Sequence, residues 1–167
     1  MNHSGRLFVF LLLAASTIIA GAPLFHARSL RPASYAAQSR EPWSHDEVVT
    51  PEELVKELSN PGSQRPTVVC AGVEFLYEGA HVPGALYLGP GREPKGIEDL
   101  TRWAHGVPRD KEVALYCGCC PWTQCPNIRP AYRALHALGF QHLKVVEIDQ
   151  DFAHDWVAKG YPVEKGK

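Results

Sequence analysis

The sequence lacks any clustered excess of charge of one sign, since 17 basic and 18 acidic side chains give a formal net charge of −1. A nucleic-acid-binding face needs clustered basic residues, so nucleic acid is not expected as a partner. The 167 residues also contain no internal repeat and no long charge block. An apolar fraction of 45% is typical of a globular protein, and the chain has room for one domain.

Charge is also absent from residues 7–25, which follow a single basic side chain at Arg6. A short basic flank, an apolar stretch and small residues at Ala20 and Ala22 are typical of a secretory signal. However, Pro23 follows that site directly, and 19 residues come close to the ~20 that span a bilayer. We therefore expect residues 1–27 to be a signal peptide or a membrane anchor. The protein would then be extracytoplasmic: periplasmic, secreted, or attached to the membrane by residues 7–25.

Residues 28–47 are rich in Ser, Ala, Arg and Pro and are predicted to be a linker, followed by one domain over residues 48–165. Within the domain, short apolar runs alternate with helical patterns. The predicted strands are 67–70, 85–88, 112–116 and 143–148, and the predicted helices are 51–58, 97–105, 128–138 and 152–159. This alternation indicates an α/β fold with a parallel central sheet flanked by helices on both faces. Cys117 follows a strand directly, at the end where such sheets bind ligands.

Five segments of this domain resemble, in order and spacing, those of the rhodanese-like (sulfurtransferase) domain family. They are the opening helix 51–58, the turn 77–85 (YEGAHVPGA), the strand 113–117, the helix end 135–140, and Trp156 with the final 160–163 (GYPV). The resemblance covers residues 49–163 and implies a rhodanese-like fold. It also implies that Cys117 is a nucleophile that accepts a sulfane sulfur as a persulfide and passes it to an acceptor. The expected partners are a small sulfur-containing substrate or a thiol protein, and no cofactor is expected.

The segment after Cys117 departs from the family pattern. The loop is about four residues longer than is usual, and its first basic residue is Arg129. The family's Asp-x-Arg after the second strand is replaced by Cys70-Ala71-Gly72, its turn glycine by Ala80, and the Gly-Gly before the terminal Trp by Asp151-Phe152. These differences indicate a divergent branch with an extended, multi-cysteine loop.

Four of the five cysteines lie within nine residues, at positions 117, 119, 120 and 125, and three hypotheses compete for them. In the first, Cys117 is the nucleophile of sulfur transfer or thiol redox, with Cys120 (its C-x-x-C partner), Cys119 or Cys125 as resolving thiol. In the second, Cys117, Cys120 and Cys125 bind Cu(I) or Zn(II), although the loop contains no histidine and no second C-x-x-C. In the third, a disulfide such as Cys120–Cys125 staples a non-catalytic interaction domain.

Four residues near these cysteines are candidates for binding an anion or a substrate. The resemblance implies that backbone N–H groups of the loop, including Gly118, face the sulfur. Asn127 is expected to cap the helix that follows, and this would direct the helix dipole at the loop. Arg129 would add positive charge, and Trp122 would cover the thiols or present an aromatic face to a partner. Cys70 ends a buried strand and is expected to be a core residue.

Overall fold

A computed structural model of the chain describes residues 41–61 and 65–166. The predicted signal or anchor, and the predicted linker up to residue 40, lie outside these residues. In the part that is described, none of the helices has the length and apolar character needed to cross a bilayer.

Five parallel strands form one sheet, in the order β1-β5-β4-β2-β3. Their bounds are β1 Val48–Val49, β2 Thr67–Cys70, β3 Leu86–Tyr87, β4 Val113–Tyr116 and β5 Leu143–Val146. Because every pairing is parallel, the carboxyl ends of all five strands meet at one edge. The central strand of that edge is β4, which leads into Cys117. The predicted parallel α/β fold is confirmed.

Helices cover both faces of the sheet: α1 Pro51–Ser59, α2 Glu74–Gly79, α3 Pro94–His105 and α4 Ile128–Ala137. In β4, Val113 and Leu115 pack on one face with α3 and α4, in what we call the α3–α4 core. Ala114 and Tyr116 pack on the other face with α1 and α2, in the α1–α2 core. This alternation follows from the two-residue period of a strand. It separates the cysteines, since Cys117 and Cys125 lie in the first core and Cys70 in the second.

The first helix shows how local sequence sets an element. The Thr50 hydroxyl accepts a hydrogen bond from the Glu53 backbone N–H, and the Glu53 carboxylate accepts one from the Thr50 backbone N–H. This capping box satisfies N–H groups that have no partner within the helix, and Pro51 has no N–H to satisfy. Leu54 on the inner face is completely buried. The predicted start of this helix is confirmed.

Several elements differ from the sequence prediction, and the two-residue strand β1 is one that was not predicted. Helix α2 was not predicted, because its first turn follows Val73, which has no polar side chain to cap it. The loop after Cys117 contains a single 3₁₀ turn, Trp122–Gln124. The predicted helix 152–159 is a short π-helical segment, Ala153–Val157, which places Trp156 in the α1–α2 core.

Candidate functional site

The thiol loop, which we define as residues 117–127, begins with a left-handed turn at the carboxyl end of β4. Gly118 has φ +73°, a conformation that L side chains rarely adopt. Its carbonyl oxygen accepts a hydrogen bond of 3.0 Å from the Phe152 backbone N–H. A Cβ atom at position 118 would lie 2.8 Å from the Phe152 Cβ. Glycine is therefore required here both for its φ angle and for close packing against Phe152.

The segment that follows β2 also approaches Cys117 closely. A Cβ atom on Gly72 would lie 2.3 Å from the Cys117 carbonyl oxygen, so the two backbones touch. Next to it, the Ala71 backbone N–H donates to the Tyr116 carbonyl oxygen at 2.8 Å. The Cys70-Ala71-Gly72 sequence that replaces the family's Asp-x-Arg therefore forms a tight backbone contact with the site. Sequence reasoning noted this replacement but did not identify Gly72 as part of the site.

Arg129 holds the loop in place. Its guanidinium group donates hydrogen bonds of 3.3, 2.8 and 2.9 Å to the backbone carbonyls of Trp122, Thr123 and Cys125. It also forms an ion pair with Glu41, with an Nε to Oε2 distance of 2.8 Å. The sequence predicted that Arg129 binds an anion. In the structure, its guanidinium donors are engaged with the loop backbone and with Glu41. The Trp122 ring stacks on Trp43 with centroids 5.9 Å apart.

All five cysteines lie among the described residues and are free thiols in the structure, which shows no Cys120–Cys125 disulfide. The Sγ atoms of Cys117 and Cys119 are 3.1 Å apart, and those of Cys119 and Cys120 are 3.3 Å apart. The Sγ atoms of Cys117, Cys119 and Cys125 lie within 4.8 Å of one another. Cys119 thus takes the place beside Cys117 and Cys125 that the metal hypothesis gave to Cys120.

Asn127 is completely buried and its side chain points at the thiols. Its Nδ2 lies 3.4 Å from the Cys117 Sγ and 3.6 Å from the Cys119 Sγ, and its Oδ1 accepts a hydrogen bond from the Arg92 backbone N–H. Asn127 does precede α4, but its side chain makes no capping hydrogen bond, so that part of the prediction is wrong. The side chain serves instead as a donor to sulfur in a buried site.

The thiols share charge unequally. The pKa of Cys119 is lowered to about 2, mainly because the Cys117 and Cys125 thiols donate hydrogen bonds to it, with help from Cys120 and Asn127. The pKa of Cys117 is raised, first by its hydrogen bond to Cys119 and also by that to Cys125 and by burial. Burial, followed by the contact with Cys119, raises the pKa of Cys120 to about 12. These shifts make Cys119 the thiol of the group that most readily carries a negative charge.

The cysteines also differ in how far their side chains are exposed to solvent. Cys119 and Cys120 are half-buried, whereas Cys117 and Cys125 are buried. Cys70 lies behind the loop in the other core, with its Sγ 4.0 Å from the Cys117 carbonyl oxygen. Burial raises the pKa of Cys70 to about 11. These properties agree with the expected role of Cys70 as a core residue and make Cys119 the thiol best placed to meet a dissolved reactant.

No protein-family model and no curated protein matches this sequence. Among solved structures, the rhodanese-like domain of the Alr3790 protein from Anabaena is similar: TM-score 0.52 and 22% identity, over 71% of this chain and 79% of that one. A crystal structure of the same Anabaena protein gives 0.53 and 19%, over 70% and 82%. Thiosulfate sulfurtransferase from Pseudomonas aeruginosa gives 0.51 and 22%, over 76% of this chain and 20% of that one. The chain has the rhodanese-like fold, as the sequence predicted.

Proposed function

We propose that this protein transfers sulfane sulfur through the paired thiols of Cys117 and Cys119, and that it does so outside the cytoplasm. The observation that carries the proposal is the 3.1 Å contact between a buried thiol and a half-buried thiolate at the carboxyl end of β4. Thiolates, not thiols, are the nucleophiles of sulfur chemistry. The extracytoplasmic location depends on residues 7–25 alone.

The exposed thiolate performs the first step. The Cys119 Sγ attacks the outer sulfur of a donor R–S–SH, a bond forms between these two sulfurs, and the donor's S–S bond breaks. The leaving group R–S⁻ then takes up a proton from water. The product is a persulfide on Cys119, and the reaction involves no net oxidation or reduction. The buried position of Cys117 disfavours direct attack by its own thiol on a dissolved donor.

The second step moves the sulfur inward. Cys117 loses its proton to the departing Cys119 sulfur as it attacks the outer sulfur of the persulfide. A new S–S bond forms at Cys117, and the bond at Cys119 breaks. Once the new persulfide has released its S–H proton to water it carries a negative charge, and the backbone N–H of Cys119 and the Asn127 amide face it. An incoming acceptor thiol would remove the sulfur by the reverse sequence. Cys117 thereby keeps the storage role that the family resemblance implies.

Two serine variants test the relay. We expect Cys119→Ser to slow sulfur loading at least about 100-fold, because removal of a positioned nucleophile lowers the rate of the reaction by at least this factor. We expect Cys117→Ser to accept one sulfur at Cys119 but to release it to solvent thiols without storing it. Peptide mass spectrometry after a single turnover identifies the loaded cysteine. Full loading and transfer in Cys117→Ser, at the wild-type rate and lifetime, would contradict the relay.

A second candidate function is binding of a soft metal ion, because the Sγ atoms of Cys117, Cys119 and Cys125 converge within 4.8 Å. Three thiolates form a donor set that Cu(I) and Zn(II) accept. Protein prepared with reductant and supplied with Cu(I) would then retain one equivalent after gel filtration. Cys119→Ser would lose the metal, whereas Cys120→Ser would keep it. Retention of no metal by the wild type under these conditions would exclude this function.

A further inference from the structure

A cavity of about 370 Å³ lies beside Cys119, and we call it the thiol cavity. Its lining includes Phe75 and Leu76 of α2 together with Phe152 and Val157 at the π-helical segment. Its size is at the lower end of the range for sites that bind small organic molecules. A larger cavity of about 490 Å³ elsewhere in the domain is lined by no cysteine. Of these two cavities, the thiol cavity is the one that Cys119 lines.

The walls of the thiol cavity are unusually apolar for a surface. In the described part of the chain, four large apolar side chains are exposed, and three of them line this cavity: Phe75 at 77%, Leu76 at 42% and Val157 at 43%. The fourth, Leu86, is 38% exposed and lies outside it. Apolar side chains that cluster on a surface mark a binding site more often than scattered ones do.

Charge in the thiol cavity is negative. Among the residues that the structure describes, no lysine or arginine lines it, and Asp151 is its one charged lining residue. The Asp151 carboxylate accepts hydrogen bonds from the backbone N–H and the Nδ1 of His154, and these lower its pKa. Asp151 is therefore ionised near neutral pH. A ligand whose non-reacting part is an anion would be repelled by this carboxylate.

We propose that the thiol cavity binds the organic part of an apolar persulfide, R–S–SH, and discriminates against donors whose non-reacting part is an anion, such as thiosulfate. This proposal rests on the proposed sulfur transfer and names its substrate class. During attack by the Cys119 Sγ, the sulfane sulfur lies at the thiolate and the R group occupies the apolar walls. The S–S bond of the donor breaks, and R–S⁻ leaves through the cavity mouth and is protonated by water.

The first experiment compares three donors that each carry a sulfane sulfur but differ in the rest of the molecule. The reduced full-length protein is mixed with benzyl persulfide, glutathione persulfide or thiosulfate, and the gain of one sulfur is followed by intact-mass measurement. We expect benzyl persulfide to load the protein at least about tenfold faster than either charged donor, as a buried apolar group contributes at this scale. Equal rates for benzyl and glutathione persulfide, or faster loading by thiosulfate, would overturn the proposal.

A pair of matched variants locates the effect. Phe75→Lys replaces an apolar wall residue by a cation, so loading by benzyl persulfide should fall several-fold and loading by thiosulfate should rise. Leu86→Lys makes the same change at the exposed apolar residue outside the thiol cavity, and both rates should stay at the wild-type value. Equal responses of the two variants would show that the cavity does not select the donor.

Alkylation separates failure of the cavity proposal from failure of sulfur transfer itself. N-benzyl iodoacetamide and iodoacetate differ in the same way as the donors, apolar against anionic, and need no sulfur chemistry. We divide the rate of the apolar reagent by the rate of the anionic one. We expect this ratio at Cys119 to exceed that at a free cysteine peptide by about tenfold or more. A protein that accepts sulfur from no donor would disprove the transfer reaction. A ratio equal to that of the peptide would disprove the cavity proposal in either case.

Discussion

Asn127 and Cys119 set the chemistry of the thiol loop at the scale of single residues. A buried donor such as the Asn127 amide has to find an acceptor, and the acceptors within reach are the sulfurs of Cys117 and Cys119. Hydrogen bonds to sulfur favour its charged form and so lower the pKa of the thiol that receives most of them. One asparagine and three neighbouring thiols thereby concentrate the anion on the half-buried Cys119.

The substitution Asn127→Asp tests the contribution of that amide. The new side chain keeps an oxygen for the Arg92 backbone N–H but replaces the Nδ2 donor by a second oxygen that faces the thiolate. We expect the thiolate pKa of Cys119 to rise by about one unit or more, since a like charge nearby has this effect. Thiolate absorbance as a function of pH measures it. Gln124→Glu makes the same change in charge at an exposed position of the loop and should leave the pKa unchanged. An equal rise in both variants would contradict a direct contact.

The pH dependence of alkylation tests the thiolate itself. With its pKa lowered to about 2, Cys119 is deprotonated over the whole neutral and mildly acidic range. Its rate with iodoacetamide should therefore stay within about twofold between about pH 8 and about pH 5, whereas an ordinary thiol slows roughly 1,000-fold. The loss of this phase in Cys119→Ser would assign it. A wild-type profile that falls like that of a free thiol would contradict the shared-thiolate description.

At the scale of elements, the site depends on how closely the segments after β2 and β4 approach each other. Each of these connections contains a glycine at its point of closest contact: Gly72 at the Cys117 carbonyl and Gly118 at Phe152. A larger residue at either position would push the contacting segments apart. Parallel strands direct their carboxyl ends to the same edge, so the connections must pack side by side there. The position of Cys117 is thus fixed by backbone contact from two directions.

The substitution Gly72→Ala tests this contact. Its Cβ would lie 2.3 Å from a backbone oxygen, which cannot rotate away, so one of the two segments must shift. We expect a loss of about 1–3 kcal/mol in the free energy of unfolding, which is the usual cost of overpacking. Urea denaturation measures the loss. Gly106→Ala is the control, because its Cβ would meet only a carbonyl oxygen at an ordinary 3.7 Å. A stability equal to that of the control would show that the approach is not tight.

Elements with strong local signals could be predicted from the sequence. The capping box at Thr50 and Glu53 marks the start of α1, and the apolar run Thr67–Cys70 marks β2 with the observed bounds. Helix α2 could not be predicted, since its six residues lack a capping side chain and depend on Tyr77 packing in the α1–α2 core. The alternation of strands and helices indicated a parallel sheet, but the strand order β1-β5-β4-β2-β3 depends on pairing between distant segments, which local sequence does not report.

The candidate site could be predicted in position but not in detail. Sequence spacing favoured Cys120 as the partner of Cys117, since C-x-x-C is a common pair. The left-handed turn at Gly118 instead brings the Cys119 sulfur to 3.1 Å from that of Cys117. Asn127 marks the start of α4 as the sequence predicts, but its side chain points at the buried thiols and does not cap the helix. Which thiol contacts Cys117, and where the Asn127 side chain points, depend on burial and on contacts between distant segments. Spacing along the chain does not report these contacts.

At the scale of the whole molecule, the two cores place the cysteines in environments of different stability. Cys117 and Cys125 lie in the thiol loop and pack in the α3–α4 core, while Cys70 lies in the α1–α2 core at the end of an internal strand. A loop opens by local fluctuations at low free energy, whereas an internal strand is exposed mainly by global unfolding. The reactivity of the five thiols should therefore follow the free energy needed to open the segment that holds each one, and not their order along the chain.

Timed alkylation of the native protein tests this order of reactivity. We expect Cys119 to react first and Cys70 last, at least about 1,000-fold more slowly, because global unfolding costs about 5–15 kcal/mol. The raised pKa of Cys70, about 11, slows it further by reducing its thiolate fraction. Peptide mass spectrometry with iodoacetamide reports each site, and in denaturant all five should react at similar rates. Labelling of Cys70 together with Cys119 in the native protein would mean that the sheet opens as readily as the loop. In that case Cys70 could take part in the sulfur chemistry from which its burial otherwise separates it.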